Sequence, residues 1–296
     1  MNFDIDSICK GESIEQIPTA ILDKTGIHFG DAHFKKDYMA VVSEKIKEVD
    51  KNCICYIPFS VTAEAEAFGA KVRLDEDSNG ILIDGFKYAK IEELSDVHEF
   101  DTDKGRIKEI LDCIEILSKR GNIVALNVEA PFTILTLLID NLAIYRGLRR
   151  QGDIIYNALL TIQNSIRKYI IKALERGARI ISYADPSGDI DIIGPKIYKK
   201  FSGQISYSLI KSLEDYIDNS IIHLCARTSL PFEKSGFCES SPIKIKKDIK
   251  YGEAICSLLD EKNVKILGHK CMNCSNKMVE DSCVWKLELN NNYTFI

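Results

Sequence analysis

The sequence predicts a (β/α)8 TIM barrel of the α/β class, and three observations predict it. Short apolar runs recur along the chain, each run ends in small or polar residues, and helix-like stretches separate them. Runs this short and apolar suit strands buried on both faces, and intervening helices imply parallel pairing through crossover units. No G-x-G-x-x-G follows any run. That removes the main argument for the other choice, a doubly wound dinucleotide fold.

Taken in order, residues 53–59 (CICYIPF) form the first strand, followed by a helix-like stretch at 63–68. Residues 71–88 differ, because Asp77-Ser78-Asn79-Gly80 sits between two strand-like arms and reads as a hairpin turn. Residues 122–128 (NIVALNV) give the next strand, with helical patterns at 132–145 and 153–176. Residues 178–184 (ARIISYA) precede a helix expected over 195–216. Residues 221–226 (IIHLCA) and 264–268 (VKILG) complete the clear strands, and 80–85 and 241–246 are weaker ones. A chain of 296 residues that is 45% hydrophobic can bury one large core. The expectation is one barrel domain over 1–296, with 1–25 as an N-terminal extension.

A formal net charge of -5 argues against nucleic acid as a partner, since phosphate binding needs a basic stripe. The lysines between Lys244 and Lys250 alternate with Ile243, Ile245 and Ile249 and read as a solvated face. No run reaches the ~18 apolar residues of a membrane helix. The opening MNFDIDSICKGESIEQ carries acids and no apolar stretch, so it reads as neither signal nor transit peptide, and a cytoplasmic location is expected. Ten cysteines are too sparse for a disulfide scaffold and read as free thiols or metal ligands. Cys53 and Cys55 alternate with Ile54 and read as core packing, and Cys9, Cys113 and Cys256 as small packed or surface residues.

The chemistry-bearing residues are His223, Cys225 and Cys271. In a strand, His223 and Cys225 share one face while Leu224 takes the other. Two such ligands can share a tetrahedral ion at ~2.0–2.3 Å. The run 264–268 opens into His269-Lys270-Cys271-Met272-Asn273-Cys274, which adds a thiol at a later strand end. In a barrel both ends lie on the C-terminal rim, where such enzymes place their chemistry. One imidazole and two thiolates cancel the charge of Zn²⁺. A substrate thiol would lose its proton to that ion yet stay nucleophilic, whereas a three-histidine site better activates water. Alcohol dehydrogenases also use this ligand set but need the missing nucleotide fingerprint. Zinc deaminases need H-x-E with P-C-x-x-C, and here no His has Glu two residues on and Lys270 precedes Cys271. Two blander readings stand beside this one. His223, Cys225, Cys271 and Cys274 together would close a structural zinc site, or the residues simply pack.

Several segments resemble one family. They are Asp31-Ala32-His33, the stretch from Pro58 to Ala70 (PFSVTAEAEAFGA), Ala130-Pro131-Phe132-Thr133, Tyr183-Ala184-Asp185-Pro186 with Ile193-Gly194-Pro195, His223-Leu224-Cys225, and Gly268-His269-Lys270-Cys271. From about Gly26 onward the sequence resembles the uroporphyrinogen decarboxylase superfamily, and within it the cobalamin-dependent methyltransferase branch. The resemblance implies the barrel, zinc bound by His, Cys and Cys, a small thiol substrate, and methylcobalamin carried by a separate corrinoid protein. It marks Asp185 and Glu129 as catalytic candidates, although each also suits a turn cap, and His33 as a cofactor-binding candidate. The chain departs from the decarboxylases themselves. No Arg-rich motif precedes residue 50, and Val61 stands where they carry an acid. Asp31 to Lys36 begins like a corrinoid-binding D-x-H-x-x-G, but Lys36 replaces the Gly, so no cobalamin domain is expected in this chain. The Cys225–Cys271 spacing is compressed relative to the family, which leaves Cys274 and His269 as alternatives for the third ligand. The function expected is zinc-dependent methyl transfer between a corrinoid protein and a thiol. The alternatives are a metal-free decarboxylase-like lyase and a non-catalytic zinc-binding barrel.

Overall fold

Pairing of the strands decides what kind of α/β protein this is. The computed structural model describes residues 17–279 and 281–291. Within them the strands are β1 Ile54–Ile57, β2 Val72–Asp75, β3 Gly80–Ile83, β4 Ile123–Glu129, β5 Ala178–Ala184, β6 Ile221–Cys225, β7 Cys238–Lys244, β8 Ile266–Lys270 and β9 Cys283–Leu289. The main sheet runs β1-β4-β5-β6-β8-β9-β7, and its first five strands are parallel. Those five follow chain order without reversal. A doubly wound sheet would reverse at a switch point, so the progression is the barrel-type one. The fold is thus the mixed α/β kind the sequence implies. No pairing between β1 and β7 that would close the ring occurs among the described residues.

The five clear strands lie where the apolar runs place them, and β2 and β3 form the expected hairpin with Asn79 in the left-handed region at φ 52°. Three departures have physical causes. The stretch expected as one helix over 132–145 is two, Pro131–Leu138 and Asn141–Arg150. Asp140 caps the second by accepting from the amides of Leu142 and Ala143. The helix expected over 195–216 ends at Lys211 and contains a wide turn at Tyr198–Ser202. The strand β9 has no counterpart in the apolar-run pattern. It pairs antiparallel with both β8 and β7, which leaves β7 at the sheet edge, where its Pro242 is tolerated. Of the expected N-terminal extension, residues 1–16 and Cys9 with them lie outside the described residues. From residue 17 onward the segment is not peripheral, because Ile17 and Ile21 are buried in the core.

The two faces of the parallel sheet differ. Cys55, Ile57, Leu126, Val128, Ile181, Tyr183, Ile222 and Leu224 point into the large core under the helices. Ile54, Ala125, Ile180, Ile221 and Leu267 point the other way, into a smaller core capped by the helix Tyr251–Cys256. That smaller core covers only the lower half of its face. No helix of the described residues is long and apolar enough to cross a membrane.

Candidate functional site

Register carries the site upward from that smaller core. On the inner face Ala125, Ile180 and Ile221 align as one apolar row. Two residues further along, Asn127, Ser182 and His223 align as a polar row, and above them Glu129 lies beside Ala184. Cys225 faces Lys270 across β6 and β8, so Cys271 follows directly beside it. The rows are polar exactly where the capping helix stops, since Asn127, Ser182, Ala184 and Cys225 are only half-buried. The result is a half-buried, partly polar rim at the C-terminal strand ends.

His223, in the polar row below this rim, is fully buried. Its Nε2 shares a hydrogen bond with the Tyr251 hydroxyl at 2.8 Å. Its Nδ1 bonds to no other residue. Burial, with a small further push from His269, lowers its pKa to about 3, against an opposing bond from its own main chain. The imidazole is therefore neutral at ordinary pH and keeps a lone pair for a Lewis acid. Tyr251 is fully buried, and burial, then Cys271, Tyr56, Cys274 and Cys225, push its pKa well up. Cys271, Cys274 and Cys225 are thus near enough to Tyr251 to act on it electrostatically. Among the described residues no three His, Cys, Asp or Glu side chains converge as a ready-made ion cluster.

The other sequence-derived candidates take separate places. Asp185 is buried just past β5, and its carboxylate accepts from the Thr133 amide (3.1 Å), the Thr133 hydroxyl (2.7 Å) and the Ser202 hydroxyl (2.6 Å). Both oxygens are thus engaged in tying the end of β5 to the helix Pro131–Leu138 and to the turn Tyr198–Ser202. Glu129 is buried at the end of β4, and its amide donates to Glu64 Oε1 at 3.3 Å. His33 is buried on the helix Phe29–Phe34, with Nε2 3.3 Å from the Asn79 carbonyl at the hairpin tip and its ring edge-on to Phe59. His269 takes partners of its own. Its backbone is left-handed at φ 63°, which breaks strand alternation, and its ring lies against Ser229 (3.1 Å) and Glu233 (3.1 Å) on the helix Ala226–Lys234. Across β6 and β8, Cys271 follows the residue that faces Cys225.

Sequence reasoning missed Tyr251, Asn127, Ser182 and Glu64 as site residues. Glu64 is fully buried, and burial raises its pKa to about 7 despite backbone amides and nearby Arg106. Arg106 is itself buried, paired with Glu66 at 2.8 Å and bonded to Thr62. The only signal for Glu64 was its place in the alanine-rich stretch that carries the family resemblance.

Comparison with known proteins fits this geometry. Residues 7–269 match the uroporphyrinogen decarboxylase (URO-D) family. The chain belongs to that family. His223 and Cys225 lie inside the matched span of this URO-D protein, and Cys271 lies two residues past it. It is 24% identical over 212 residues to methylcobamide:CoM methyltransferase MtbA of Methanosarcina acetivorans and 26% identical to that of Methanosarcina mazei. Each match covers 70% of this chain and 62% of the relative. The chain thus spans about six-tenths of the length of these curated relatives. It is 20% identical to methylcobamide:CoM methyltransferase MtaA of Methanosarcina barkeri, over 81% of this chain and 74% of the relative. A solved methyltransferase from Methanosarcina mazei superposes with a TM-score of 0.65 at 20% identity, covering 74% of this chain and 68% of the other, which supports the fold.

Proposed function

We propose that this chain is a methyltransferase that moves a methyl group between a corrinoid carried by a partner protein and a small thiol. The reading places zinc on His223, Cys225 and Cys271. The observation that carries it is the buried Nδ1 of His223, which bonds to no other residue, on a strand whose Cys225 lies across from the residue before Cys271. A buried nitrogen that no other residue satisfies calls for a ligand. One imidazole nitrogen and two thiols suit zinc's preference for N and S donors, so the residues fit the ion. Bound there, zinc supplies the Lewis acidity that holds a thiol deprotonated at neutral pH.

The chain's own groups do the rest. Tyr251 fixes the His223 ring through Nε2, which leaves Nδ1 as the nitrogen that would take the ion. Asn127 and Ser182 form the polar floor beside it. Asp185 holds the ends of β5 and of the helix Pro131–Leu138 in place. Glu129, at the end of β4 above the polar row, is the carboxylate we assign to the reaction, and His33, beside the hairpin, is the candidate that faces the corrinoid. The names of the related proteins, which print methylcobamide and CoM, support this pairing of donor and acceptor.

The test uses the purified full chain. Metal analysis should find about one zinc per chain. Addition of CoM to methylcobalamin and protein should convert the methylcobalamin spectrum at a rate proportional to enzyme. A folded, zinc-loaded protein that leaves methylcobalamin unchanged with CoM and with other small thiols would overturn the proposal.

A further inference from the structure

Two cysteines outside the site lie against each other. Cys53 Sγ and Cys256 Sγ are 3.2 Å apart, although 203 positions separate them in the chain. Sequence alone assigned Cys53 to core packing and Cys256 to the background. Both are half-buried rather than sealed.

Their approach belongs to a built seam. Cys53 stands just before β1, and Cys256 is the last residue of the helix Tyr251–Cys256. Lys250 Nζ donates to the Lys51 carbonyl at 2.7 Å, and Asn52 Nδ2 donates to Ser275 Oγ at 2.7 Å. Asn52 Oδ1 accepts from the Cys53 amide at 2.8 Å. It also lies 2.9 Å from where a Cβ on Gly252 would be, so a side chain at 252 would press on Asn52. The Gly252 amide in turn donates to the Ser275 carbonyl at 2.8 Å. The sulfurs are thus held together by main-chain and side-chain bonds on either side of them.

We propose that Cys53 and Cys256 are a redox-active dithiol that closes to a disulfide by exchange with a low-molecular-weight disulfide. The Cys53 thiolate attacks one sulfur of RS–SR, forms the mixed disulfide and releases RS⁻. The Cys256 thiolate then attacks the Cys53 sulfur, breaks the mixed bond and releases the second RS⁻. The two thiol protons end on the released thiolates, so one RS–SR is reduced to two RSH as the protein dithiol is oxidised. The hydrogen bond from Cys256 lowers the Cys53 pKa while that of Cys256 rises, which agrees with Cys53 as the attacking group. The bond would clamp the helix whose other end carries Tyr251, the residue that holds His223.

The test is independent of methyl transfer. The full chain is incubated with oxidised glutathione, alkylated and mapped by mass spectrometry. The expected product is a Cys53–Cys256 linked peptide, lighter by two hydrogens, that dithiothreitol reverses. Cys53→Ser and Cys256→Ser should each abolish it, and oxidation should raise the melting temperature of the wild type but of neither variant. Separately alkylated Cys53 and Cys256, or a link through other thiols such as Cys271 and Cys274, would overturn the proposal.

Discussion

Two strand ends, one strand apart, treat their buried polar groups in opposite ways. At the end of β5, Asp185 receives three donors, and both carboxylate oxygens are engaged. At the end of β6, His223 keeps one nitrogen bonded to no other residue. Both residues are buried. A satisfied buried polar group rigidifies, whereas an unsatisfied one is costly unless something binds it. On the function we propose, the difference makes the β5 end scaffold and the β6 end chemistry, although the sequence marks both as candidate sites.

The strongest way to break that assignment is at the thiols. Cys225→Ala should remove zinc and lower methyl transfer by more than the about 10- to 100-fold typical of outer-shell substitutions, while circular dichroism stays native. Cys274→Ser should leave both zinc and rate nearly unchanged. If Cys274→Ser also loses the metal, the ion has four protein ligands and is structural.

Asp185→Ala should act the other way round. Removing the acceptor strands the Thr133 and Ser202 donors in a buried place and should cost about 3 kcal/mol of stability, read from urea unfolding. Activity per folded molecule should stay within a few-fold. A stable but inactive variant would move Asp185 from scaffold to catalysis.

The reach of sequence reasoning follows the same divide. The five parallel strands were legible because burial on both faces makes each a short unbroken apolar run. His223 and Cys225 were legible because strand alternation puts residues two apart on one face. β9 was not, because it is half-covered and carries Lys286 and Glu288 among its apolar residues. Asn127 and Ser182 were not, because only strand register sets them beside His223, and register is a property of pairing rather than of either segment. Tyr251 was hidden for a related reason, since its partner is 28 residues away. The direction of His269 was not legible, because one left-handed residue reverses the face that alternation assigns.

Tyr251→Phe sharpens the comparison from the side of the support. It removes the hydroxyl that orients His223 but leaves the ring and every thiol. Zinc affinity should fall about 10- to 100-fold, with stability lower by about 1 kcal/mol. An unchanged affinity would mean that packing alone aims Nδ1.

The smallest effect concerns His33, which is buried like His223 and has the Asn79 carbonyl as its partner. Burial lowers its pKa to about 4; the Asn79 carbonyl opposes this and Arg106 adds to it. The unfolded chain takes up this proton near 6.5, its ordinary value, while the folded state refuses it down to about 4. The unfolded state therefore binds more protons in that window, and stability rises with pH across it. The contribution is complete above 6.5 and lost as pH falls to about 4. His33→Gln should leave stability at pH 7.5 nearly unaltered and reduce the loss between pH 7.5 and 5 by on the order of 1 kcal/mol. His223 titrates in the same sense and stays in the variant, so the acid slope should shrink rather than vanish. An identical slope in wild type and variant would mean that His33 is protonated in the folded protein. The ring would then point a charge toward the hairpin, and its candidacy for facing a corrinoid would need a different electrostatic basis.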